Sequence, residues 1–115
     1  MAKPVKRIST HVLDVSRGKP ASNLPVRLER QEAGEWRLLQ SASTDQDGRC
    51  SQLLPGELPP GWYRLVFDTA HYFDRQEIVG LYPIVEVTFQ VREGETQFHI
   101  PLLLSAHGYT TYRGS

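Results

Sequence analysis

The chain carries one cysteine in 115 residues, Cys50. That excludes an intrachain disulfide framework and any cysteine-based zinc spacing. Charge of one sign is lacking as well: 13 Lys and Arg stand against 13 Asp and Glu, so the formal net charge is zero. The sequence-independent attraction to phosphates that marks a nucleic-acid binder has no source here, and no basic run supplies one locally. Long hydrophobic runs are missing too. No segment approaches a membrane span, and "MAKPVKRIST" has positive charge with no apolar stretch behind it, so it lacks the layout of a secretory signal. The four histidines form no i, i+4 pair or other compact ligand spacing, which leaves a metal site without a ligand set. These absences make a cytoplasmic protein the expectation, with no nucleic acid and no membrane among its partners.

What is present is a pattern. With 39% hydrophobic residues over 115 positions, the chain can build one core, so residues 1–115 are expected to form a single domain. Short segments alternate with period two between Gly, Pro, Asn and Asp punctuation. In "KRISTHVLD", residues 6 to 14, Ile8, Thr10 and Val12 share a core-like face and Ser9, His11 and Leu13 share the other. "LPVRLERQ" and "RLLQSAS" read as a hairpin joined through "GEW". "TDQDGRC" is a turn by composition and presents Arg49 just past its glycine. "PPGWYRLVFDT" is a strand running into the one helix candidate, "AHYFDRQEIV", with Asp68 or Thr69 as its cap and Gly80 as its end. "IVEVTFQV", "TQFHIPLLLS" and "GYTTYRG" follow as strands. Seven or eight strands and a short helix make an antiparallel β-sandwich the expected fold.

Two strands put a histidine away from that core. Phe98, Ile100, Leu102 and Leu104 alternate inward, which sends His99, Pro101, Leu103 and Ser105 outward, as His11 is sent outward on the first strand. Each histidine has an apolar neighbour two residues away, and a partly apolar outer face suggests cover by another subunit. On these grounds alone, an outward histidine or a turn arginine is equally readable as a solvated surface group. Cys50 reads as a small packed residue, His71 as a helix residue and His107 as a turn residue.

The stretches "STHVLD" with "RGKPA" behind it, "TDQDGRC", "HIPLLLS" and "GYTTYRGS" resemble the motifs of the 5-hydroxyisourate hydrolases of the transthyretin-like family, from Ile8 to Ser115. The Tyr-Arg-Gly-Ser ending is the feature that separates these hydrolases from the hormone carrier transthyretin. The resemblance implies an all-β, transthyretin-like (prealbumin-like) sandwich of two four-stranded sheets with one short helix. It further implies a homotetramer, a dimer of dimers, with active sites in the central channel. The activity implied is hydrolytic opening of the 5-hydroxyisourate ring at an acyl–nitrogen bond, in urate degradation, with no cofactor. Carried over residue by residue, the resemblance makes His11, Arg49, His99 and Ser115 catalytic, and makes His11, Arg49, Tyr112, Arg113 and Gly114 substrate-binding. Ser115 would offer its hydroxyl and a final carboxylate, and Tyr112 would narrow the channel. In "SAHGY", His107 stands where relatives carry an aromatic residue after a proline. The alternative function is a small-ligand carrier of transthyretin type without turnover.

Overall fold

Period-two alternation sets the architecture. The computed structural model describes residues 7–54 and 56–115, so Lys6, counted in the first expected strand, lies outside the described residues. In chain order the elements are β1 (Arg7–Asp14), β2 (Lys19–Pro20), β3 (Pro25–Glu32), β4 (Glu35–Ser43), β5 (Arg49–Cys50), β6 (Gly61–Phe67), α1 (Thr69–Asp74), β7 (Val85–Val91), β8 (Gln97–Ser105) and β9 (Gly108–Thr111). One sheet runs β2-β1-β8-β9, with β5 also on β1, and the other runs β4-β3-β6-β7. The β1–β8 pairing is parallel; every other pairing is antiparallel. Among the described residues no helix is long and apolar enough to cross a membrane.

The core lies between the sheets. Ile8, Val12, Leu102 and Leu104 from one meet Val26, Leu28, Tyr63, Leu65 and Phe67 from the other, all buried. Burying each such side chain contributes about 1.5–3 kcal/mol. Thr10 sits in this row of inward residues and stays satisfied because its hydroxyl donates to the Ile100 carbonyl at 2.6 Å. Asp14 is also buried, at the end of β1, where it accepts the Tyr72 hydroxyl at 2.7 Å and the backbone N–H groups of Ser16 and Arg17. The helix is thereby tied to the first strand.

Several expectations change in detail: the described strands number nine and not seven or eight, and the β1–β8 pairing is parallel where an antiparallel sandwich was expected. The first sheet has five strands, because the two-residue β2 and β5 both pair with β1: β2 at Leu13 and Asp14, β5 at Thr10 and His11. They share one edge in tandem, so the sheet is still four strands wide. Asp68 caps α1 by accepting the His71 N–H at 3.1 Å, as expected, but the helix ends at Asp74 and not at Gly80. Glu77 takes a left-handed φ of 57°, and Ile78 N–H returns to the Phe73 carbonyl, so the chain leaves the helical path as soon as Tyr72 and Phe73 are buried. Pro101 shares the outward face of β8 yet is buried.

Candidate active site

Because β1 and β8 run parallel and in register, their odd-numbered residues form transverse rows on the outer face. Ser9 lies opposite His99, His11 opposite Pro101 and Leu13 opposite Leu103. β5 sets Arg49 beside His11. On the other flank, Leu102 pairs with Thr111, and an isolated bridge pairs His99 with Gly114 in the same register, which places Tyr112 opposite Pro101. One row therefore reads Arg49, His11, Pro101, Tyr112, and the next Ser9, His99, Gly114. Residues far apart in sequence share one patch for this reason.

Pro101 shapes the end of the chain. It has no N–H to give the neighbouring segment, so the ladder breaks there; its carbonyl takes the Thr111 hydroxyl at 2.8 Å, and pairing resumes with Gly114 N–H on the His99 carbonyl at 2.7 Å. Gly114 is brought against the His99 imidazole. Arg113 falls on the opposite face. Its guanidinium lies 4.4 Å over the Phe98 ring, pairs with Glu95 at 3.1 Å and donates to the Gln97 carbonyl at 3.2 Å. Arg113, expected as a substrate contact, here straps the segment down, because alternation between Tyr112 and Gly114 turns it inward.

Arg49, expected in a turn, begins β5, and the turn before it fixes its position. Asp45 accepts the N–H groups of Asp47 and Arg49 at 2.9 Å each on one carboxylate oxygen, while its own N–H donates to the Arg49 carbonyl. Gly48 has a φ of 77°, and a Cβ there would lie 2.3 Å from the Val12 carbonyl oxygen, so only glycine lets the turn close onto β1. The motif "DQDGR" thus delivers an arginine to the outer face.

A cavity of about 280 Å³ opens on this face, lined by Ser9, Arg49, Ser51, His99, Gly114 and Ser115, with Arg7 and Gln97 at its far end. Of the residues expected in the site, Arg49, His99, Gly114 and Ser115 meet there. His11 stands one row away, close enough for its charge to act on His99. Tyr112 is exposed at the edge of the same face and borders an apolar recess of about 190 Å³ with Phe89, Phe98 and Ile100.

The electrostatics favour a neutral His99. Burial is the main cause holding its pKa below the ordinary imidazole value, followed by the charges of Arg49 and His11. Its Nδ1 lies 2.8 Å from the Ser9 hydroxyl oxygen, which leaves Nε2 free to act. Ser9 was not singled out from sequence. The only signal was its shared face with His11, and its partner is 90 positions away. Cys50 is buried, and its thiol is pushed up to about 11 by burial and by Asp45, so it is packed and unreactive. Among the described residues, no three His, Cys, Asp or Glu side chains cluster in a way that could hold a metal ion.

Comparison with known proteins places the chain in a family. The profile of the HIUase/Transthyretin family matches residues 8–114. The chain is 46% identical to a 5-hydroxyisourate hydrolase of Mus musculus, with all of both chains covered. A solved structure of Klebsiella pneumoniae 5-hydroxyisourate hydrolase superposes with a TM-score of 0.86 at 33% identity, covering 96% of this chain and all of that one. Sea bream transthyretin in complex with thyroxine superposes with a TM-score of 0.87 at 30% identity, covering 93% of each chain. The chain belongs to the HIUase/Transthyretin family.

Proposed function

We propose that this chain is a one-domain 5-hydroxyisourate hydrolase of the cytoplasm that opens the substrate ring by adding water across an acyl–nitrogen bond. The observation that carries the reading is the pairing of His99, held below its ordinary pKa and fixed at Nδ1 by Ser9, with an adjacent Arg49 guanidinium that has no ion-pair partner among the described residues. Water is a poor nucleophile at neutral pH, so the site needs a neutral base at that pH, and His99 Nε2 meets the need. His99 takes a proton as the water oxygen attacks the acyl carbon. Arg49 neutralises the charge developing on the attacked carbonyl oxygen with its planar fork. The acyl C–N bond then breaks as His11 gives a proton to the departing nitrogen; the acyl carbon becomes a carboxylate with its acid proton released to water, and the proton held by His99 passes back to His11, so both histidines return to their starting states. Gly114 and Ser115 complete the wall beside His99, while Tyr112 narrows the face at its edge. None of these steps calls for a metal or a cofactor.

The same face supports a homotetramer, a dimer of dimers. Half-buried Leu13 and Leu103 lie next to the histidine rows, and Leu81, Tyr82, Ile84 and Tyr109 are exposed apolar groups elsewhere on the surface. Faces of this kind are covered by assembly. The test of the activity is ultraviolet absorbance: freshly generated 5-hydroxyisourate should decay faster with the protein than without it. Equal decay rates would overturn the hydrolase reading in favour of a carrier.

A further inference from the structure

The cavity continues past His99. One row beyond Ser9 and His99, Arg7 of β1 lies opposite Gln97 of β8 on the same outer face, and both line the cavity. Two residues along a strand span about 6.6 Å, so the Arg7 row and the Arg49 row flank the His99 row at similar distances on its two sides. The backbone at Arg7 is pinned, since its N–H donates to the Thr96 carbonyl at 2.8 Å. Its guanidinium is exposed and, like that of Arg49, makes no hydrogen bond or ion pair among the described residues. Elsewhere Arg27, Arg30, Arg37, Arg64 and Arg113 each pair with a glutamate. Among the described residues, no aspartate or glutamate side chain lines this cavity. Two unpaired like charges facing one recess repel each other, and an oxygen-rich or anionic ligand between them relieves that repulsion.

We propose that Arg7, with the Gln97 amide beside it, is a specificity-determining residue that binds the far, oxygen-rich end of the heterocycle. The substrate is then clamped between two guanidinium groups with its scissile acyl carbon at the His99 row. A guanidinium fork matches a carbonyl pair or a delocalised anion, and the Gln97 amide can read an adjoining ring N–H or carbonyl. Arg7 is remote from the bond that breaks, so it binds ground state and transition state alike and acts on KM rather than kcat. This inference rests on the hydrolase reading of the site.

The experiment uses Arg7→Gln and Arg7→Lys in steady-state hydrolysis, together with calorimetric titration of urate as a stable planar anion. Arg7→Gln is expected to raise KM about tenfold with kcat within about twofold, and to weaken urate by a similar factor; Arg7→Lys, with the charge but not the fork, falls between. KM and urate affinity within about twofold of the unsubstituted protein would overturn the proposal, as would a loss in kcat at constant KM. Absence of ring opening by the unsubstituted protein overturns the hydrolase reading instead. The urate titration still reads Arg7 in that event.

Discussion

Gly114 approaches His99 so closely that a Cβ on it would lie 2.6 Å from the imidazole Cδ2 and 3.3 Å from the His99 carbonyl oxygen. The backbone cannot back away, because Gly114 N–H is bonded to that same carbonyl. Gly114→Ala must therefore turn the ring or break the bridge. A misplacement of about 1 Å in a catalytic group costs about 10²-fold in rate, so turnover is expected to fall by about that much while the melting temperature changes by only a few degrees. Hydrolysis and thermal melting of the variant check this; full turnover would show that the ring needs no such wall.

Ser9 is expected to set the tautomer of His99. When Nδ1–H donates to the Ser9 oxygen, Nε2 keeps its lone pair and can act as base. Ser9→Ala leaves both tautomers open and should lower kcat about tenfold, whereas Ser9→Thr keeps the hydroxyl and should restore most of it. A purely structural role would make the threonine variant no better than the alanine one, and the pH–rate profile would not move.

Ser9 also shows where sequence reading stops. Alternation along β1 and β8 is a local property, so the outward faces of His11 and His99 were legible from residue types alone, as were the buried Ile8, Val12, Leu102 and Leu104. Which strand neighbours which is not local. The Ser9–His99 contact and the Arg49–His11 row depend on pairings between distant segments, and those exist only once the sheet has formed. Motif resemblance supplied Arg49 and the terminal residues, but residue type could not show the register against β8 whose alternation turns Arg113 onto Phe98. The overlong helix had a similar origin. "AHYFDRQEIV" has helical composition to its end, and tertiary packing stops the helix at Asp74 once Tyr72 and Phe73 are buried.

Arg49→Gln tests charge in two ways. If the guanidinium stabilises the attacked carbonyl oxygen as proposed, its removal should lower turnover by about 10²-fold or more with folding intact. Arg49 is also one of the causes, after burial, that lower the His99 pKa, so its removal lets that pKa rise. A base works when neutral and is lost as pH falls through its pKa. The acid limb of kcat/KM should consequently move to higher pH in the variant. An unmoved limb would remove His99 as the titrating base.

The last prediction concerns the terminal segment, where strap and wall can be separated. Deleting Tyr112 to Ser115 removes no residue of the Phe98, Ile100, Leu102 and Leu104 row, but it strips Arg113 from the Phe98 ring and from Glu95. That ion pair is exposed, and exposed pairs and cation–π contacts contribute little to stability, so the truncated chain should fold and melt only modestly earlier. Turnover should collapse, because Gly114 no longer backs His99 and Ser115 no longer lines the cavity. Arg113→Ala separates the two functions: Tyr112, Gly114 and Ser115 remain in the chain, but the strap is gone. Its turnover should lie between those of the full and truncated chains, since the Gly114–His99 bridge still forms for part of the time. If the truncated protein keeps full hydrolysis, neither strap nor wall matters. If Arg113→Ala is as inactive as the truncation, the guanidinium itself contacts substrate, and the inward orientation over Phe98 is not the one it adopts during turnover.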